Sequence, residues 1–290
     1  MEKIKYKLKG HESFVIRDGW LTKGLRAVHD NSKVFSENNG ADALGVGTNM
    51  ARAIRYWLRT SGLTRSSQTG EVLTELGEIL FENDLYFEDS FSIALVHANI
   101  ATNFEAATSW SLFFNDFLVS SPFTRDEMFS VMKELFTEKT GNENPTERSL
   151  RDDCSAILAM YAMQDNQNED PEEKRKSPFE DLALIARSGN RFVKKRPALE
   201  RIDPLVILYL IVDVLNAEGS IQIDRLTDGT DMPGKIFNLN RISVNNYLDE
   251  LQNSGYIIVN RTAGLDIVYP ASCDGMSKED AARAFFRRKS

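Results

Sequence analysis

The sequence predicts a mainly α protein with small β wings, in which two winged-helix-turn-helix units flank a helical middle region. Residues 20–80 read as helix, turn, helix, polar loop and return, and residues 200–270 read as helix, strand, helix, helix and hairpin. Both orders are typical of winged-helix DNA-binding proteins. The segment between them is rich in aromatic residues at helical spacing, which favours a buried core over a base-stacking surface.

Three regions follow from this pattern. Residues 1–83 are predicted to hold an N-terminal strand and a winged-helix DNA-binding unit. Residues 84–177 form a helical middle region that ends in an acidic linker, and residues 178–290 form a second winged-helix unit with a basic tail. A chain of 290 residues is long enough for two or three such domains.

The composition is that of a globular protein, with 42% hydrophobic and 27% charged residues. No run of eighteen apolar residues is present, so we expect no membrane span. The charged start does not look like a secretory signal. Cys154 and Cys273 form no CxxC pair, and with three histidines no zinc pattern can be written. These features predict a reduced, cytoplasmic protein.

The net charge of −8 is unevenly distributed along the chain. Residues 1–66 hold 12 Lys and Arg against 6 Asp and Glu, whereas residues 67–200 hold 13 against 25 and residues 201–290 hold 10 against 12. Because salt screens charges beyond about 10 Å, a local basic face is enough to attract DNA. The acidic middle is expected to face away from DNA or towards a basic partner.

The first residues carry two patterns. Lys3–Leu8 alternates lysines with apolar residues, which predicts a half-buried strand with a basic outer face. The following segment, 10–25, packs four polar residues among apolar ones: His11, Glu12, Arg17 and Asp18. They form either a catalytic or phosphate-binding cluster or a salt-bridged structural corner. If the strand continued, His11 and Glu12 would project on opposite sides, which favours the corner.

The helix after the turn at 45–48 is the predicted DNA-reading element, and Leu21–Val28 is the helix before it. At 100° per residue, one arc of this helix is apolar. The opposite arc is predicted to face DNA: Thr48, Asn49, Arg52, Arg55, Tyr56 and Arg59. Arg pairs with guanine, Asn with adenine, and both reach phosphates. Arg65, in the loop 64–70, would belong to the wing. The alternative is a surface helix with solvated arginines.

In the middle region, apolar spacing predicts helices at Ser90–Thr102 and Glu105–Val119. Thr124 with Glu127 has the pattern of a capping box, which opens a helix to about Glu138. Thr146 is predicted to open another helix, to about Met163, in the same way. Residues 164–176 are polar and read as a solvated linker.

The last third begins with a predicted short helix, Phe179–Ala186, and a predicted strand, Arg191–Arg196. An apolar helix follows at Leu205–Leu215, then a strand at Ser220–Asp224 and a helix near Lys235. The second winged unit ends with a helix and a hairpin: Arg241–Ser254, Tyr256–Val259 and Leu265–Tyr269.

The helix at 241–254 is a poor reader of DNA because its outward arc carries Asp249 and Glu250, which would repel phosphates. The pattern therefore favours protein docking or dimerisation for the second unit. Arg261 in its wing is a candidate contact to the DNA backbone. The basic tail at 283–290 is predicted to be a flexible phosphate contact.

Three strings carry a family resemblance: GHESFVIRDGWLTKGL at 10–25, LGVGTNMARAIRYWLRTSGL at 44–63 and LTELGEILF at 73–81. They resemble the SspB-like family, a bacterial family of originally unknown function found in DNA phosphorothioate-modification operons. The resemblance implies double-stranded DNA binding and nicking of one strand for sulfur insertion, in a system of modification and phage defence. It also implies a cysteine desulfurase and ATP-using proteins as partners, and a homodimer is a further expectation.

Two functions of different kinds remain open from the sequence. One is an enzyme that nicks DNA, for which Glu12 and Asp18 would hold a divalent metal, His11 would act as the base and Arg17 would hold the phosphate. The other is a non-catalytic winged-helix adaptor or regulator that positions partner enzymes. The chain carries no recognised nuclease motif, phosphate loop or Rossmann glycine pattern to decide between them.

Overall fold

A computed structural model of the chain describes residues 4–162 and 177–289. Within these residues the protein is mainly helical, with three small antiparallel sheets. The chain forms two compact units, an N-terminal unit, Met1–Lys195, and a C-terminal unit, Arg196–Ser290. The division thus falls at residue 195, whereas the sequence pattern placed boundaries at 83 and 177. None of the described helices has both the length and the apolar character needed to cross a membrane.

The N-terminal unit begins with three helices, a hairpin and a fourth helix. These are α1 (Trp20–Asp30), α2 (Ala41–Leu44), α3 (Thr48–Thr60), β1 (Thr64–Ser67), β2 (Gly70–Leu73) and α4 (Glu75–Asn83). The predicted helices at 21–28 and from Thr48 are confirmed, and the polar loop is part of an antiparallel hairpin.

Gly70 fixes the position of this hairpin. Its φ of 131° is one that other residues rarely adopt, and a Cβ atom there would lie 2.2 Å from the Ser32 carbonyl oxygen. The close approach allows the Glu71 amide to donate to that oxygen over 2.7 Å. The hairpin is therefore tied to the chain that follows α1.

Four helices continue the N-terminal unit: α5 (Ser90–Thr102), α6 (Thr108–Asn115), α7 (Arg125–Thr140) and α8 (Glu147–Tyr161). The bounds of α5 are those predicted, and α6 is shorter than predicted. The capping box of Thr124 and Glu127 is confirmed at the start of α7. Thr146 precedes α8 but its side chain makes no capping hydrogen bond, and Ser149 stands where a capping box has Glu or Gln. The predicted linker at 164–176 lies outside the described residues.

A second hairpin closes the unit, with β3 (Ile185–Ser188) paired to β4 (Arg191–Lys194). The predicted helix Phe179–Ala186 was wrong. A short 3₁₀ turn spans Pro178–Leu182 and stops at Ala183, whose φ is +54°. Ile185 and Ala186 instead pair with Lys194 and Val193 of β4, because the turn at 189–190 brings a strand partner back to them.

The predicted N-terminal strand is also wrong: residues 4–7 lie in an irregular segment beside helices, with no strand to pair with among the described residues. The backbone amide of Lys7 donates instead to Thr108 Oγ1 over 2.8 Å, and the ring of Tyr6 packs edge-on against Phe136 at 5.0 Å. Ile4 is 48% exposed, so the alternation does not mark a buried face.

The C-terminal unit contains five helices and a three-stranded sheet in its described residues. They are α9 (Pro204–Glu218), β5 (Ile221–Gln222), α10 (Ile223–Asp228), α11 (Pro233–Ile236), α12 (Arg241–Asn253), β6 (Ile257–Asn260), β7 (Ile267–Pro270) and α13 (Lys278–Lys289). The strand order is β5-β7-β6, all antiparallel. The predicted hairpin after Ser254 is confirmed as β6 and β7.

The sequence pattern predicted a flexible basic tail. In this structure residues 283–289 instead form most of α13. Ala281, Ala282, Phe285 and Phe286 recur at helical spacing, are buried, and face α9. Arg288 forms an ion pair with Asp203 at the start of α9. The apolar face fixes the helix, and its basic last turn complements the helix dipole.

Candidate nucleic-acid interface

Helix α3 is held in the core by one face. Ala51, Ile54, Trp57 and Leu58 are each no more than 1% exposed, as the predicted apolar arc requires. The indole Nε1 of Trp57 donates to the carbonyl oxygen of Phe14 over 2.9 Å. These contacts fix the rotation of α3 and so determine which side chains reach the surface.

The opposite face of α3 carries the predicted polar residues. Asn49, Arg52 and Arg59 are exposed, whereas Thr48 and Arg55 are half-buried. Thr48 donates from Oγ1 to Asn38 Oδ1 over 3.2 Å. Four of these side chains are thus available on one surface, and Thr48 is tied to the preceding loop.

Tyr56 does not lie on this face, which corrects the predicted arc. It is 8% exposed, and its hydroxyl donates to the carbonyl oxygen of Ala106 over 2.8 Å. Burial, and after it the negative charge of Asp153, raises the pKa of this hydroxyl well above its usual value. Position 56 lies at the edge of the polar arc, and the chain after α5 covers it. Tyr56 is a core residue rather than a DNA contact.

Glu71 of β2 is the central acidic group of the interface, and the sequence analysis missed it. Its side chain is fully buried, and both carboxylate oxygens face arginines of α3. Arg55 Nε donates to Oε2 over 2.9 Å, Arg59 Nε to Oε1 over 2.7 Å and Arg59 Nη2 to Oε2 over 2.6 Å. Thr64 Oγ1 adds a fourth bond to Oε1 over 3.1 Å. One buried carboxylate therefore holds two guanidinium groups in place.

The pKa of Glu71 reflects this pairing. Burial raises the pKa, but the hydrogen bonds and positive charges of Arg59 and Arg55 outweigh that effect and leave the pKa below its usual value. A signal for this residue was present in the sequence, because Glu71 is the sole acidic residue between Asp42 and Glu75. Its partners could not be read from the chain without the register of the hairpin.

The hairpin adds one more cation. Arg65 of β1 is exposed, as expected for a wing residue. Arg55 also lies over the ring of Phe35, with its guanidinium carbon 5.3 Å from the ring centroid. The surface of α3 and β1 therefore presents four arginines, Arg52, Arg55, Arg59 and Arg65, against the carboxylate of Glu71.

The predicted catalytic cluster is not assembled as proposed. His11 is fully buried and its Nε2 lies 2.9 Å from Asp153 Oδ1, while Ser109 Oγ donates to Asp153 Oδ2 over 2.6 Å. The imidazole stacks on Trp57, with ring centroids 5.8 Å apart. The tight turn at residues 9–13 directs His11 into the core. Of the two predictions for this segment, the structural corner describes His11 better than the catalytic cluster does. Its partner, however, is Asp153 and not a neighbour in sequence.

The other three members lie in different surroundings. Asp18 is exposed, Glu12 is half-buried, and the guanidinium of Arg17 lies 5.5 Å from the ring of Trp20. Among residues 4–162 and 177–289, no three or more His, Cys, Asp or Glu side chains are grouped to hold a metal ion. Glu12 and Asp18 are therefore not joined by a third such side chain, and their binding of a metal stays a prediction.

In the C-terminal unit, Arg261 is already paired with two residues of α12. Its Nη2 lies 2.8 Å from Asp249 Oδ1, and its Nε donates to Asn245 Oδ1 over 3.1 Å. These bonds hold the loop between β6 and β7 against α12. Two isoleucines of this unit are exposed, Ile242 of α12 at 69% and Ile258 of β6 at 55%.

Comparison with known proteins defines the class to which this fold belongs. A family described as "protein of unknown function (DUF4007)" matches residues 8–283. Since the match covers most of the sequence, the chain belongs to this family. The comparison with curated proteins found no match.

Two solved structures share the fold over nearly the whole chain. "Magnesium ion-bound SspB crystal structure" is 23% identical with a TM-score of 0.83, and covers 98% of this chain and 87% of that chain. "SspB crystal structure" is 23% identical with a TM-score of 0.81, and covers 98% of this chain and 94% of that chain. The family and the fold together agree with the SspB-like resemblance of the sequence.

Proposed function

We propose that the chain is the DNA-binding component of a phosphorothioate-modification system and that the elements α1 to β2 act as a winged helix. The observation that carries this proposal is the arginine surface of α3 and β1, with α3 as the recognition helix and the β1–β2 hairpin as its wing. The order of three helices and a hairpin is that of a winged-helix unit. The elements α9 to β7 repeat this type of order in the C-terminal unit.

The charge of the surface supports duplex binding. Arg52, Arg55, Arg59 and Arg65 with Glu71 give a local net charge of +3 on a chain whose total charge is −8. The side chains of Arg55 and Arg59 remain 35% and 39% exposed while they pair with Glu71. Each guanidinium has five N–H donors, so both retain donors for phosphate oxygens.

The C-terminal unit is assigned to a partner protein or a second copy of the chain. The exposed side of α12 carries Glu250 and an exposed isoleucine, Ile242, and its arginine neighbour Arg261 is already paired. Such a surface is poorly matched to phosphates. Within a modification system, a cysteine desulfurase and ATP-using proteins are the partner classes that the family resemblance implies, in the cytoplasm of a bacterium.

Strand nicking is the second candidate function. The observation that favours it is that one of the two similar SspB structures holds a bound magnesium ion. Of the residues first proposed for this step, His11 is buried against Asp153 and does not reach the surface. We therefore place DNA binding first. The DNA-binding protein then has two possible forms, an enzyme that nicks one strand and an adaptor without catalytic activity. Relaxation of supercoiled plasmid by the purified chain, with Mg²⁺ and with a chelator, separates the two forms, because an adaptor leaves the plasmid supercoiled in both.

DNA binding itself is tested by the dependence of duplex affinity on salt concentration. A variant carrying Arg52→Ala, Arg55→Ala, Arg59→Ala and Glu71→Gln removes three guanidinium groups together with the buried charge that Arg55 and Arg59 neutralise. If at least two of the arginines contact phosphates, the slope of log affinity against log salt flattens by roughly two units. Arg148→Ala, which removes an exposed arginine of α8, is the matched control. Wild-type slope and affinity in the multiple variant would refute the proposed interface.

A further inference from the structure

We infer that Glu71 divides helix α3 into two functional halves, with Asn49 and Arg52 reading bases and with Arg55 and Arg59 binding the DNA backbone. This inference rests on the proposed function, since it concerns how the proposed surface uses a duplex. It assigns Glu71 as a positioning residue that acts through the two arginines and does not touch DNA.

The C-terminal half of the polar face is fixed in place. Arg59 uses two donors on Glu71, at 2.7 and 2.6 Å, in the bidentate geometry of a guanidinium–carboxylate pair. Arg55 uses its Nε on the same carboxylate and lies against Phe35. With its Nε and Nη2 on Glu71, Arg59 cannot present that edge to guanine, and the bond from its Nε together with Phe35 holds Arg55 against the protein surface. The remaining donors of both arginines can still meet a phosphate that approaches the protein surface.

The N-terminal half is unconstrained. The side chains of Asn49 and Arg52 are exposed, and neither has a hydrogen-bond or ion-pair partner among the described residues. Arg52 precedes Arg55 by three residues and Arg59 by seven, and Asn49 lies one turn before Arg52. In helix-turn-helix proteins the first residues of the recognition helix contact base edges. Asn and Arg are the side chains suited to adenine and guanine.

The burial of Glu71 gives the arrangement its rigidity. The carboxylate is fully buried, and Thr64 donates to it from β1. Glu71 with Arg55, Arg59 and Thr64, called the clamp below, therefore connects α3 with both strands of the hairpin. The Glu71 amide also donates to Ser32 O, which ties β2 to the chain after α1. The positions of Arg55 and Arg59 are thus set before any DNA binds, which lowers the ordering cost of each phosphate contact.

The test uses the full chain and a duplex selected from a randomised library, compared with a scrambled duplex of the same length. Arg52→Ala is expected to lower the preference for the selected duplex by about 5- to 150-fold, the range for loss of one bidentate base contact. The variant Arg55→Ala/Arg59→Ala/Glu71→Gln is expected to keep this preference within about twofold. Its salt slope should flatten by about 1.8 units, since each phosphate contributes roughly 0.9. Arg148→Ala is expected to change neither quantity.

Glu71→Gln alone keeps both arginines but removes the Arg55 bond and one of the two Arg59 bonds. Affinity for the scrambled duplex is expected to rise and the preference for the selected duplex to fall, because the loosened guanidinium groups bind phosphates in more than one arrangement. The inference is overturned if Arg52→Ala leaves the preference unchanged, if the Arg55 and Arg59 variant loses it, or if selection yields no preferred sequence. Absence of binding to any duplex would instead refute the proposed function itself.

Discussion

Replacing Glu71 with Gln gives the sharpest test of the clamp as a stabilising element. The substitution keeps the shape of the side chain but leaves one acceptor oxygen in place of two. With the amide oxygen at the Oε1 position, the bonds from Arg59 Nε and Thr64 are retained, and the two arginine bonds at Oε2 are lost. The new NH₂ group would also face guanidinium donors.

The magnitude follows from these two bonds. Hydrogen bonds to charged groups contribute about 1.5–3 kcal/mol each. Arg55 and Arg59 are more than one third exposed and regain water when released, so the sum must be reduced by roughly half for solvent screening. The expected loss in the free energy of unfolding is about 2 kcal/mol. For a unit of this size it corresponds to a decrease in Tm of roughly 4–8 °C.

The assay can observe the N-terminal unit alone. Trp20, Trp57 and Trp110 are the three tryptophans of the chain, and all lie in that unit. Thermal and urea unfolding followed by tryptophan fluorescence therefore reports on the unit that contains the clamp. Glu82→Gln, at an exposed position of α4, is the matched control. A Glu71→Gln variant within about 0.5 kcal/mol of wild type would show that the buried carboxylate contributes no net stability.

The stability difference between wild type and Glu71→Gln is also expected to depend on pH. Because the folded state lowers the pKa of Glu71, the unfolded chain binds a proton here more readily than the native protein does. The contribution of Glu71 is therefore complete above its unfolded pKa, about 4.3, and is lost as the pH falls through the lower folded value. The stability difference between wild type and Glu71→Gln should be constant near neutral pH and shrink below about pH 4. A difference that grows with acidity would contradict this assignment.

Two further predictions concern the core beneath α3. Asp153→Asn should reduce the free energy of unfolding by roughly 3 kcal/mol, since Asp153 is 1% exposed and accepts bonds from His11, Ser109 and the Lys9 amide. Urea unfolding measures this loss, with Asp152→Asn as the control, and equal effects of the two variants would contradict the prediction. Tyr56→Phe should cost about 1–2 kcal/mol because the Ala106 carbonyl loses its donor, with duplex affinity unchanged; a selective loss of DNA affinity would return Tyr56 to the interface.

Sequence reasoning predicted the elements whose signals are local. The apolar spacing of 90–102 gave the bounds of α5, and the capping box at Thr124 gave the start of α7. Both signals depend on residues within one or two turns of each other. The hairpin after Ser254 was found in the same way, from a short apolar run on each side of a turn.

The remainder depended on contacts between distant residues. Alternation at 3–8 predicted a strand, but a strand also needs a neighbour, and the amides of Lys7 and the following Lys9 donate instead to Thr108 and Asp153. Tyr56 could not be assigned to the core without knowing that residue 106 lies above it. The site itself was predicted in part: its arginines were read from the helical period, whereas Glu71 required the register of a hairpin.

The bond between His11 and Asp153 has a consequence for the synthesis of the protein. The two residues are 142 positions apart, so a ribosome adding roughly 5–20 residues per second makes Asp153 about 7–28 s after His11. During that interval the first helices exist without the helix that supplies the carboxylate, and the Trp57 ring that stacks on His11 lacks part of its surroundings. The N-terminal unit therefore completes its core only after α8 has left the ribosome, and until then the apolar surface that this core later buries is open to association with other chains.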